Sequence, residues 1–135
     1  MEYFNTAFGG FAPHQDKDGA VKFALNAILM DNRVQELSEL VVDGNPLGGI
    51  EGEPGWILER RDVADDNKIA YLNWPKGARF MASVDEQVFR LQHSQCFMSR
   101  DAFIKYLMPA IDAYISADPS RATAPAVIAL RKAIA

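Results

Sequence analysis

Between residues 55 and 97, β-branched and aromatic side chains gather into four runs with very little chain between them. The runs cover residues 55–61, 68–74, 78–84 and 87–97, each of a length suited to a strand. Residues 62–67, 75–77 and 85–86 connect them. A parallel crossover needs roughly a dozen residues or more, so these links allow only antiparallel neighbours. The middle of the chain therefore predicts a four-stranded antiparallel meander.

Helical periodicity flanks it on both sides. Val21, Ala24, Leu25, Ile28 and Leu29 recur on one helical face, after Asp16 and Asp18. Val34, Leu37, Leu40 and Val41 form a second face out of phase with the first, which predicts two short helices or one bent one, with Asp31-Asn32 capping the second. Residues 44–55 hold five glycines and two prolines and read as a loop. Residues 2–8 are aromatic enough for a strand or an anchored arm, broken by Gly9-Gly10. After the meander, Ser99 is placed as an N-cap for a stripe of Phe103, Leu107, Ala110, Ile111 and Tyr114. Pro109 inside that stripe predicts a kink or a break just before it, and Pro125 opens a last helix at its first position. The order is helices, sheet, helices: an α+β fold of one globular domain over residues 1–135, with helices packed on one face of the sheet.

A chain of 135 residues has enough core to fold without a metal or disulfide staple, and its single cysteine excludes an internal disulfide. No signal peptide or membrane-length apolar run is apparent, which predicts a cytoplasmic protein without a membrane partner. Net charge is −4, which argues against nucleic acid as a main partner.

Chemistry-bearing residues are sparse. His93 and Cys96 form an H-x-x-C pair, but a structural zinc site needs four ligands and positions three apart on a strand face opposite ways. Cys96 lacks a following helix N-terminus close enough to activate it as a nucleophile. The glycine-rich loop lacks the Lys-Ser or Lys-Thr of a phosphate-binding loop and carries Glu51 and Glu53. Asp62, Asp65, Asp66 and Asn67 do not follow the spacing of a calcium loop. No catalytic, cofactor or metal site is assigned, and the chain is not read as an enzyme. Trp56, Tyr71 and Trp74 are read as core aromatics, one of which is free in the alternative to anchor a partner.

Charge is unevenly spread. Residues 31–66 carry three basic and ten acidic residues, a balance of −7, whereas residues 67–135 carry nine basic and five acidic ones, a balance of +4. An acidic surface of that kind attracts basic partners such as a nuclease. Glu51, Glu53, Asp62, Asp65 and Asp66 are the expected contacts, with Trp56 as an anchor.

The early helical stripe, the acidic residues 51–66 with Gly55-Trp56 opening a strand, and the Ser99-Arg-Asp-Ala-Phe103 helix start leading to Pro109-Ala-Ile-Asp-Ala-Tyr114 are together similar in style to one class of protein. The chain resembles the small cytoplasmic immunity proteins of bacterial toxin systems, including contact-dependent growth inhibition. That resemblance implies an inhibitor that covers the basic active-site cleft of a cognate toxin domain; the oligomeric state is left open, with a monomer favoured. Two other readings stay open: an acidic secretion chaperone or adaptor, which predicts a homodimer, and a small enzyme or ligand-binding domain, which predicts a deep cavity lined by groups such as His93 or Tyr71.

Overall fold

A computed structural model describes residues 2–53, 55–87 and 89–135; expectations touching Met1, Pro54 and Val88 lie outside the described residues. The fold is α+β. Helices α1 (Phe4–Phe8), α2 (Gly19–Met30) and α3 (Val34–Leu40) precede the sheet, and α4 (Arg100–Ala117) and α5 (Pro125–Ile134) follow it. Strands β1 (Gly49–Gly52), β2 (Trp56–Arg60), β3 (Phe80–Val84) and β4 (Gln95–Met98) form one antiparallel sheet in the order β1-β2-β3-β4.

The meander is present, but its membership differs from the sequence reading at one strand. Residues 68–74 do not form a strand; Ile69–Tyr71 is a turn of 3-10 helix. A further turn follows, in which the Trp74 N–H donates to the Tyr71 carbonyl at 3.0 Å. Their rings meet edge-on at 5.0 Å, and Trp74 meets Phe97 of β4 at 5.3 Å. The apolar residues beside them, Ile69 and Leu72, are left 85% and 66% exposed. The missing strand comes from the glycine-rich segment. Ile50 is buried opposite Leu58, and Gly52 pairs with Trp56. Gly52 has room for the indole only because it lacks a side chain: a Cβ there would stand 2.6 Å from Trp56 Cζ2. The run at 87–97 condenses to Gln95–Met98, and the described residues before it in that run are loop.

Sheet residues alternate as the pleat requires. Trp56, Leu58 and Arg60 of β2 and Phe80, Ala82 and Val84 of β3 are buried toward the helices. Helix α2 lies across β3 and its neighbours, and Phe103 of α4 stacks on Phe80 at 4.3 Å. Helix α5 packs chiefly on α3. The opposite sheet face is covered at one end by residues 62–78 and open at the other.

Local anchors refine the helix readings. Residues 2–8 make an anchored arm with a short helix: the Tyr3 N–H donates to the buried Asn26 Oδ1 at 2.7 Å, and Arg121 donates to the Tyr3 hydroxyl at 3.0 Å. Two helices flank Asn32, which adopts a left-handed φ of 55°. Asn32 does not cap α3; its Oδ1 accepts from the Tyr114 hydroxyl at 2.9 Å. Ser99 caps α4 by accepting from the Ala102 N–H at 3.1 Å. Helix α4 runs unbroken through Pro109. The proline removes the donor for the Lys105 carbonyl without interrupting the helix. Pro125 opens α5 as expected.

Candidate functional site

The expected contact residues fall into two groups that the fold treats differently. Asp62, Asp65 and Asp66 follow β2, and each meets a cation. Asp62 Oδ1 accepts from Arg60 Nε at 2.6 Å and from the Gly44 N–H at 2.8 Å. Asp65 pairs with Lys68 at 2.9 Å. Asp66 takes both terminal nitrogens of Arg79, one at 2.5 Å and one at 3.0 Å. The Arg60 hydrogen bond holds the Asp62 carboxyl below the usual carboxylate range, with burial acting against it. The Arg79 hydrogen bond does the same for Asp66. These charges are spent inside the molecule.

Glu51 and Glu53 belong to the β1–β2 hairpin and are exposed. Among the described residues neither has an ion-pair partner. Arg33 fixes the hairpin by its backbone, donating to the Glu51 carbonyl at 2.9 Å, while its own charge pairs with Glu36. The turn is closed by Gly55 at φ 141° and by the Asp85 N–H, which donates to the Gly55 carbonyl at 2.7 Å. This backbone bond brings a third exposed carboxylate, Asp85, to the same hollow as Glu51 and Glu53. Sequence reading passed over Asp85, because it treated residues 85–86 as a bare connection.

A groove of about 720 Å³ adjoins this hollow and shares Glu53 and Trp56 with it. Trp56 is 5% exposed, so it acts as a buried wall and not as a protruding anchor. Phe4 stacks on Phe11 at 4.3 Å, and Phe23 meets Phe89 at 4.5 Å along the other walls. Those four phenylalanines were also missed. Their signal is weak in the sequence, because they come from three separate segments that only the anchored N-terminal arm brings together.

The remaining candidates are chemically quiet. Burial pushes the Cys96 thiol up to about 11, so it is a thiol at neutral pH. His93 is exposed in a bend before β4. Among the described residues, no three His, Cys, Asp or Glu side chains are close enough to hold one metal ion. Among the described residues, no helix is long and apolar enough to cross a membrane. Comparison with known proteins finds no matching family model, no matching curated protein and no matching solved structure.

Proposed function

We propose that this chain is an immunity-type inhibitor that binds a basic bacterial toxin domain in the cytoplasm. It neutralises the toxin by occlusion, without chemistry of its own. The observation that carries this reading is the set of three exposed carboxylates at the hairpin end, Glu51, Glu53 and Asp85, beside an aromatic groove. Unpaired carboxylates attract a basic surface over distance and are screened by salt. An adjoining apolar groove supplies the desolvated contact that holds the complex once formed. The resemblance to toxin immunity proteins supports the choice of partner, and the contact set narrows to Glu51, Glu53 and Asp85 with Trp56 as groove wall.

The groove also favours a second reading. Its volume lies in the range of small-molecule pockets, roughly 300 to 1,000 Å³. Its lining is mainly apolar, with the phenylalanines and Trp56 joined by polar groups that include His14, Asn26, Glu53 and Arg90, and neither His93 nor Tyr71 lines it.

Co-expression with the toxin domain encoded beside its gene tests the first reading. Retention of the toxin, loss of its toxicity and an association rate that falls steeply with salt are expected. A Glu51→Lys and Glu53→Lys double variant that retains the toxin as tightly as wild type would remove the hairpin from the interface. Absence of any retained basic neighbour would remove the function.

A further inference from the structure

The aromatic groove beside the hairpin end contains one deeply buried polar group. Asn26 of α2 belongs to its lining and is 7% exposed. Chemistry fixes which way its side-chain amide points. The backbone N–H of Tyr3 can only donate, so the atom that meets it at 2.7 Å is the oxygen, Oδ1. The nitrogen faces the other way and donates to Met30 Sδ at 3.2 Å. Met30 lines the groove and Tyr3 does not, so the nitrogen is the end of the amide turned toward the groove. An amide nitrogen carries two N–H donors. One is spent on a thioether, a weak acceptor, and among the described residues the other has no partner. A donor buried in this way calls for an acceptor.

The walls narrow the chemistry of whatever supplies it. Phe4 and Phe11 stack at 4.3 Å with their planes 12° apart, and Phe23 meets Phe89 at 4.5 Å and 57°. Trp56 closes the hairpin side. Ring faces and edges set at such angles suit a flat aromatic guest. Charge narrows it further. A cationic guest would bring donors to a donor, because the Asn26 oxygen is already taken by Tyr3. An anionic guest would lose its hydration in a mainly apolar groove, where Glu2 and Glu53 outnumber Arg90.

We infer that the groove binds a small, neutral, flat heteroaromatic molecule whose ring nitrogen or carbonyl accepts a hydrogen bond from Asn26 Nδ2. The site rests on the small-molecule reading of the groove and adds to it the polar group that the ligand must carry.

Quinoline and naphthalene share one shape and differ by a ring nitrogen in place of a CH. Each is titrated into the full chain at mildly alkaline pH, where quinoline is neutral, and the Asn26 side-chain and Trp56 indole N–H resonances are followed by NMR. Both probes are expected to shift the Trp56 signal saturably, and quinoline alone to move the Asn26 amide downfield. Asn26→Asp keeps an oxygen for the Tyr3 N–H and loses the donor. It is expected to weaken quinoline at least about fivefold, the worth of one neutral hydrogen bond, and to leave naphthalene within about twofold. The wild-type Asn26 shift decides the matter even if that variant does not fold. N-methylquinolinium, with the same rings, a charge and no acceptor, is expected to bind at least about tenfold more weakly than quinoline. No saturable binding of either neutral probe would overturn the site together with the reading it rests on. Saturable binding of both with the Asn26 amide unmoved by quinoline removes the acceptor assignment and leaves that reading standing. N-methylquinolinium binding as tightly as quinoline sinks the assignment to a neutral ligand.

Discussion

The two ends of the sheet treat the same residue types differently. At the closed end, Asp62 and Asp66 sit on Arg60, Arg61 and Arg79, and residues 62–78 fold back over the strands. At the open end, Glu51, Glu53 and Asp85 stand in solvent with no ion-pair partner among the described residues. A charge sum over residues 31–66 cannot tell a carboxylate that pairs within the fold from one that does not. The closed end should therefore report on stability and the open end on binding, and each substitution below tests one side of that division.

Arg60 is the largest test. It is 3% exposed and ties the α3–β1 connection to β2 through the carbonyls of Leu40, Asn45 and Leu47. Arg60→Met keeps much of the apolar stem but leaves those oxygens and Asp62 without their donor. Removing one partner from a buried charged network costs about 3–5 kcal/mol. Urea denaturation of the purified variant measures it, and a loss below about 1 kcal/mol would break the claim that the closed end is structural.

Asp62 tests the same network from its acidic side. Its side chain is 21% exposed, so Asp62→Asn is expected to cost about 1–2 kcal/mol, below the full value of a charge-assisted bond. The pH dependence has a definite sign. Asp62 and Asp66 are held below their ordinary values by Arg60 and Arg79. Their stabilising contribution is complete above the unfolded carboxylate value of about 3.9 and is lost as pH falls toward the folded values. The urea midpoint of the wild type should thus drop below about pH 4, and the drop should be shallower in Asp62→Asn. An unchanged acid slope would show that the ion pair carries no linkage.

These contrasts also explain what was legible before the structure. The meander and its flanking helices follow from periodicity and link length, signals that depend on neighbours along the chain. Residues 68–74 misled because apolar and aromatic residues there are shared between a sheet-facing pair, Tyr71 and Trp74, and an exposed pair, Ile69 and Leu72. Gly49–Gly52 was hidden because its glycines read as loop, whereas Gly52 admits the Trp56 ring, a cross-strand fact. Glu51 and Glu53 were singled out by charge alone. Asp85 was not, since a backbone bond to Gly55 has no local pattern.

The smallest effect on stability is the most telling one. Glu51→Gln with Glu53→Gln removes two charges from exposed positions that hold nothing in place, so stability should stay within about 0.5 kcal/mol of wild type. The same change should slow association with a basic partner about tenfold at low salt and flatten its salt dependence, because steering follows charge and not shape. Stopped-flow association across a salt series reads the second effect, and urea denaturation the first. If the double amide loses stability as Asp62→Asn does, the open end is structural after all. If it stays stable and associates at the wild-type rate, Glu51 and Glu53 are ordinary solvated charges, and the docking role falls to the groove alone.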